Sequence, residues 1–350
     1  MTASSGRVSP SPSSAPSTEA PASPDLPPGT VAMIAARHLD VPLLRSLTAE
    51  LERRGAVHSV ESRTVAVRDA AGDGEVEVAR WSVTLDDADD SYGTQLLIAL
   101  LQDVADRIGD LLEAEGLGEE GLDGAAAVTT TVLPAAMRPP GPRMLLMDVD
   151  STLIDQEVIE LLARHAGREQ EVAQVTERAM RGELDFAASL HERVAALEDL
   201  PLSVIDSTVD AVSPTCGAER LISGFQRRGW TACAVSGGFV QVLDPLAHRL
   251  GLDRADANTL EIEAGRLTGR VAGAVVDRAA KRDRLLRWAA EDGVDASSVV
   301  AVGDGANDLD MVAAAGVGVA FCAKPALAEQ SDLVIRHRSL ELVSLALGLD

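Results

Sequence analysis

Two carboxylates two positions apart follow an apolar run, Met144-Leu145-Leu146-Met147 and then Asp148-Val149-Asp150-Ser151-Thr152. The run reads as a buried strand, and strand alternation puts Asp148 and Asp150 on one side of the chain, with Thr152 next along. At the carboxyl edge of a parallel sheet such a pair can hold a hard cation such as Mg²⁺. One carboxylate could attack phosphorus to give an aspartyl-phosphate. The other, as an acid, could protonate the leaving alkoxide and then deprotonate the attacking water. Taken alone, the spacing also fits a turn closed by Asx hydrogen bonds.

Three more segments supply complementary chemistry. Ala234-Val235-Ser236-Gly237-Gly238 puts a hydroxyl and two glycines after a second predicted strand, where backbone N–H groups can cradle phosphate oxygens. Lys281 opens a helical pattern running to Ala290. Lysine and arginine total 31, and only Lys281 and Lys324 are lysines, which leaves 29 arginines. A lysine that survives such a bias marks a place for a compact ammonium on a flexible stem, and Lys281 is the candidate. Finally, Val302-Gly303-Asp304-Gly305-Ala306-Asn307-Asp308 reads as a strand end, an acidic glycine turn and a helix start. Asp304 could complete a Mg²⁺ site, and Asp308 could orient ligands or water. Asp and Asn also cap helices, which is the plainer account of that turn. The ligand order of an EF-hand is absent.

These segments need a scaffold whose strand ends converge. Arg143–Asp148, Trp230–Ser236, Val299–Gly303, Gly316–Phe321 and Asp332–Ile335 read as strands separated by helical patterns, an order that predicts a parallel α/β sheet with right-handed crossovers. Residues 157–215, inserted after the first strand, carry apolar residues at helical spacing and read as a helical cap. Residues 258–273 read as a hairpin about Ala264-Gly265. Upstream, residues 30–137 follow the order βαββαβ, and Arg138-Pro139-Pro140-Gly141-Pro142 forms a stiff linker before a domain spanning 143–350. Residues 1–29, rich in Ser, Pro, Ala and Thr, read as a disordered tail.

Composition narrows the partners. A net charge of −24 over 350 residues and a pI near 4.6 leave no broad basic surface for nucleic acid or anionic membrane. There is no bilayer-length apolar run and no apolar leader, so a cytoplasmic protein is expected. Cys216, Cys233 and Cys322 lack metal-ligand spacing and are expected to be reduced core thiols.

In combination and in this order, Asp148–Leu153, Ser236-Gly237-Gly238, Lys281 and Gly303–Met311 resemble the four motifs of haloacid dehalogenase-type phosphatases. The resemblance covers about 143–345. In the cap, Glu157, Met180-Arg181-Gly182-Glu183-Leu184-Asp185-Phe186 and Arg193 are similar to the phosphoserine phosphatases of that family. The resemblance implies a haloacid dehalogenase-like Rossmannoid sheet with Asp148 as nucleophile and Asp150 as general acid/base. It also implies Mg²⁺ held by Asp148, the Asp150 carbonyl and Asp304, with the phosphoryl group on Ser236, Gly237 and Lys281. Thr152, Asn307 and Asp308 would support the site. Glu157 would meet a serine ammonium and Arg193 its carboxylate, with Met180 and Phe186 on the apolar side, so O-phosphoserine is the implied substrate. A zwitterion is complementary to such a Glu and Arg pair, although on helix faces these residues are ordinarily solvated. The βαββαβ order of 30–137 is similar to an ACT domain, an α+β unit that senses ligands or forms a homodimer. The glycine expected after Pro in its first loop is missing at His38–Leu43, which favours a packing role. A phosphomonoesterase or phosphotransferase with another substrate and a non-catalytic amino-acid sensor are the competing functions. Glu157 and Arg193 discriminate against the first, and the complete set of motif carboxylates with Lys281 against the second.

Overall fold

The computed structural model describes residues 26–69, 72–86, 90–115, 127–141, 143–180 and 185–349. The N-terminal unit runs β1 (Thr30–Ala36), α1 (Val41–Arg54), β2 (Gly55–Asp69), β3 (Gly72–Leu85), α2 (Asp90–Ala114) and β4 (Thr129–Leu133). Its antiparallel sheet has the order β2-β3-β1-β4. Local chemistry starts α1: Asp40 accepts the Leu43 amide at 2.8 Å, and Pro42 occupies the first turn, where a missing N–H costs nothing. Of the expected tail, residues 1–25 lie outside the described residues. Residues 26–29 are held in place: Leu26 packs on the core, and the Pro27 and Gly29 carbonyls accept from Arg138.

The second unit opens with β5 (Met144–Met147), whose four residues are fully buried because β6 (Thr231–Phe239) and β9 (Val299–Gly303) flank it on both sides. An all-apolar strand is what a position at the centre of a covered parallel sheet requires. Four cap helices follow, α3 (Val158–Ala166), α4 (Glu169–Met180), α5 (Phe186–Ala195) and α6 (Ser203–Ala211). The remainder comprises α7 (Ala218–Gln226), α8 (Val240–Leu250), β7 (Arg254–Glu263), β8 (Arg266–Ala272), α9 (Arg278–Glu291), α10 (Leu309–Ala314), β10 (Val317–Phe321), α11 (Pro325–Ala328), β11 (Leu333–Ile335) and α12 (Leu340–Leu347). The sheet order is β11-β10-β9-β5-β6-β7-β8, parallel except for β8. The order changes direction about β5, so the switch point falls where Asp148 leaves the sheet.

Two expectations shift. The chain does not leave the sheet at Ser236: β6 runs on to Phe239, with its register against β7 broken between Val235 and Phe239, so Ser236-Gly237-Gly238 is a bulge at the strand end. Of the three cysteines only Cys233 is buried; Cys216 and Cys322 are partly exposed because they occupy loops at the ends of elements.

The two units share a core. Val31, Met33 and Leu133 from the first sheet join one apolar cluster with Leu342 and Leu345 of α12. At this seam the Thr129 hydroxyl lies 2.9 Å from His337 Nδ1 and accepts the Arg336 amide at 3.0 Å, and Arg80 donates to the Leu345 carbonyl at 3.3 Å.

Candidate active site

Asp148 is the first residue beyond β5, and its amide donates to the Val302 carbonyl at 2.9 Å, so the ends of β5 and β9 are tied together. The chain then turns within five residues. Ser151 adopts φ 55°, an unfavourable conformation for a residue with a side chain, and it is held from several directions. Its amide donates to Gln156 O at 3.1 Å, its hydroxyl donates to Glu157 Oε1 at 2.7 Å, and its carbonyl accepts from Arg338 at 3.0 Å. Asp150 Oδ1 accepts the Val158 amide at 3.3 Å. Thr152 supports the turn through its backbone, its carbonyl accepting the Thr215 hydroxyl at 2.7 Å, while its own hydroxyl is buried with no hydrogen-bond partner among the described residues.

Lys281 lies one turn inside α9 rather than at its start. Asp277 caps that helix, accepting the Ala280 amide at 2.9 Å. The Lys281 ammonium, 1% exposed, donates to Asp148 Oδ1 at 2.6 Å and to Asp308 Oδ1 at 2.7 Å. Burial alone would push the ammonium down, but the two carboxylates outweigh it and hold its pKa above the ordinary value. The other Asp308 oxygen accepts the Asp304 and Gly305 amides, both at 3.2 Å. Asp308 is therefore fully engaged as the brace of the loop. Gly303 permits this: a Cβ there would sit 2.5 Å from the Asp308 carboxyl carbon.

Charge is crowded here. Burial pushes Asp150 up to about 7, helped by Glu157. Burial, Asp308 and Glu157 push Asp304 up to about 6. Burial and Asp308 also push Asp148 upward, which Lys281 counters at close range. Asp148, Asp304 and Asp308 each bring a carboxylate oxygen within 4.8 Å of the others. With Asp308 committed to Lys281 and two amides, Asp148 and Asp304 are the carboxylates left to bind a cation, and a hard divalent ion suits that all-oxygen set.

At the end of β6 the Ser236 hydroxyl accepts the Gly238 amide at 2.7 Å. A Cβ on Gly238 would lie 3.0 Å from both Asp150 Oδ2 and Ser236 Oγ, so this backbone passes close beside the acid turn. Asn258 clamps the same bulge, donating to Gly237 O at 2.8 Å while its carbonyl oxygen accepts the Val276 amide at 2.7 Å.

Above these residues is a cleft of about 600 Å³ between the sheet edge and the cap. Asp148, Asp150, Glu157, Phe186, Arg193, Gly237, Asp304 and Asn307 line it, whereas Ser236, Lys281, Asp308 and Thr152 are buried beneath. Phe186, the first residue of α5, closes over Gly237. Arg193 Nε donates to Ser189 O at 3.3 Å. Burial lowers its pKa, opposed by Glu157, Asp150 and Glu160, which line the same cleft. Met180 ends α4, but its side chain lies outside the described residues, as do residues 181–184. Glu160, Ser189, Arg278 and Lys324 also line the cleft and were not singled out from the sequence. The scarcity of lysine was a usable signal for Lys324.

This combination of fold and site defines a class. The chain belongs to the haloacid dehalogenase-like hydrolases, whose family model matches residues 145–313. It is 54% identical over 225 residues to phosphoserine phosphatase of Streptomyces coelicolor, covering 64% of this chain and 55% of that protein. It is 47% identical over 197 residues to phosphoserine phosphatase of Lactococcus lactis, covering 56% of this chain and 91% of that one. A solved structure described as a phospho-aspartyl intermediate analogue of phosphoserine phosphatase superposes with a TM-score of 0.55 at 42% identity, over 58% of this chain and 98% of that one. The matched region spans about half the length of the first curated relatives.

Proposed function

We propose that this protein hydrolyses O-phosphoserine to serine and phosphate through an aspartyl-phosphate on Asp148. The observation that carries the reading is a single cleft that combines two kinds of site. On its floor is the Asp148–Lys281–Asp308 triad, and on its wall are Glu157 and Arg193, of opposite charge and matched to a zwitterion. The names of the relatives support the same substrate.

In this reading the phosphoryl group enters over Gly237, whose backbone amide would meet its oxygens, while the Gly238 amide holds the Ser236 hydroxyl beneath. Asp148 attacks phosphorus in line, and Asp150 gives its proton to the departing serine oxygen, then takes one from water for the second displacement. Lys281 offsets the negative charge of Asp148 and the phosphoryl oxygens. Glu157 and Arg193 hold the amino-acid end, so binding energy remote from phosphorus fixes the approach to Asp148. Phe186 excludes water from one side. We take Mg²⁺ as the cation for Asp148, Asp304 and the Asp150 carbonyl, because several clustered carboxylates face few cations. When bound it neutralises the phosphoryl oxygens. The N-terminal unit we read as ACT-like from its strand order, a packing or homodimer module. The cytoplasm is taken as its compartment, in keeping with three cysteines that lack metal-ligand spacing, and no helix among the described residues is long and apolar enough to cross a membrane.

Phosphate release from O-phosphoserine, O-phosphothreonine, phosphoethanolamine and an aryl phosphate, with Mg²⁺ and with chelator, tests this. A Mg²⁺-dependent preference for O-phosphoserine is expected. Turnover of the aryl phosphate without that preference would reject the substrate but keep the phosphatase.

A further inference from the structure

The strained acid turn is braced from outside the hydrolase sheet. Arg338, just beyond β11, donates from Nη1 to the Ser151 carbonyl at 3.0 Å and lies 3.8 Å from Asp155 Oδ1. Asp155, two residues before Glu157, is largely buried, and its Oδ2 accepts from Arg68 Nη1 at 3.0 Å. Arg68 stands near the tip of the β2–β3 hairpin of the N-terminal unit, and its amide donates to the Arg338 carbonyl at 3.1 Å. Nearby, the Cys216 thiol reaches the Ala66 carbonyl at 3.2 Å, fastening the same strand to the loop that follows the cap. A hairpin from one unit therefore holds the Asp155 end of the loop Ser151 to Asp155 directly and reaches the Ser151 end through Arg338, and this loop sets the direction of Asp150 and Glu157.

We infer that Arg338 and Arg68 are positioning residues for the proposed reaction, through which the N-terminal hairpin fixes the acid turn. Ser151 stays at positive φ only while its surroundings over-determine it. The Arg338 contact is a charge-assisted bond to its carbonyl, and Arg68 sets Arg338 by a backbone bond and Asp155 by an ion pair. A displacement of the N-terminal sheet would then reach Glu157 through Ser151 and Asp150 through the turn, coupling the distant unit to turnover through these contacts. This rests on the phosphoserine phosphatase reading for the roles of Asp150 and Glu157, and not for the mechanical link itself.

Arg68→Ala, Arg338→Ala, Arg338→Lys and the double alanine variant test it, with two readouts. Amide hydrogen exchange over residues 149–157 needs no activity. It should accelerate about tenfold in Arg338→Ala and about threefold or more in Arg68→Ala, with the β5 and β9 amides unchanged. The kcat on O-phosphoserine and on an aryl phosphate should fall about tenfold or more in Arg338→Ala, partly recovered in Arg338→Lys, with the double variant losing less than the product of the two single losses, since both arginines meet Asp155 of the same turn. Unchanged exchange in a folded Arg68→Ala variant, or losses that multiply in the double variant, would overturn the link. If Arg338→Ala does not fold, the half-exposed Arg68 decides alone. A wild type that turns over the aryl phosphate and not O-phosphoserine would sink the substrate assignment, while the exchange data and aryl phosphate kinetics would still decide the brace.

Discussion

Among the described residues Asp148 is the one carboxylate that touches both the open cleft and the buried ammonium, so replacing it separates chemistry from architecture. Asp148→Asn keeps the shape and removes the charged nucleophile. Turnover should fall about a thousandfold or more, measured as steady-state phosphate release. Arg193→Ala acts at the far end of the cleft. It should raise KM for O-phosphoserine about 10- to 100-fold, the worth of one charge-assisted contact, with a much smaller effect on an aryl phosphate lacking a carboxylate. Equal losses on both substrates would reassign Arg193 to packing. At this scale the site was legible in part: Asp148 and Asp304 directly follow apolar strands, whereas Ser236 sits in the bulge at the end of β6 and Lys281 one turn inside α9, places their own neighbours do not mark. What was hidden were pairings across distance. Nothing local to Lys281 predicts Asp308 as its second partner, and nothing local to Asp155 predicts Arg68, 87 positions away. Lys324 was overlooked although the lysine count singles it out as strongly as Lys281.

The helices that carry these groups begin on acidic caps. Asp277 satisfies the Ala280 amide, and its carbonyl accepts the Lys281 amide at 3.0 Å, so the first turn of α9 sets the height of the ammonium. Asp277→Ala should cost about 1 kcal/mol, seen as a melting point about 2–4 °C lower, and should lower kcat through looser placement of Lys281. An unchanged melting point would mean that solvent replaces the cap. Asp185 does the same for α5, accepting the Ala188 amide at 2.8 Å and so placing Phe186 at the first helical position above Gly237. Element types were readable from apolar period, since Val158, Ile159, Leu161 and Leu162 recur at helical spacing and form the buried side of α3. The end of β6 was not, because a glycine pair reads as a loop whether the strand stops or bulges, and the choice was made by β7 and Asn258 pairing from elsewhere in the chain.

Across the whole molecule the seam between the units contains a titratable group that folding keeps neutral. His337 is 4% exposed against Thr129; burial pushes its pKa down to about 4, and the charges of Arg37 and Arg336 act in the same direction against a backbone hydrogen bond at Ala127. In the unfolded chain it titrates near its ordinary value of about 6.5. The native state therefore binds the proton less well, and its stability is fully present above about pH 6.5 and declines as pH falls toward 4, on the order of 3 kcal/mol in all. Urea unfolding at pH 7.5 and pH 5 should show this decline, and His337→Gln should flatten it relative to wild type. An equal slope in the variant would assign the acid sensitivity to carboxylates elsewhere.

The shared core also orders events in time. The inner face of the first sheet, with Val31, Met33 and Leu133, is covered in part by α12, which is synthesised roughly two hundred residues after β4. While the chain emerges from the ribosome, that sheet can form its hydrogen bonds but cannot finish burying its apolar face. The nascent chain must therefore carry part of that apolar face uncovered until α12 is made.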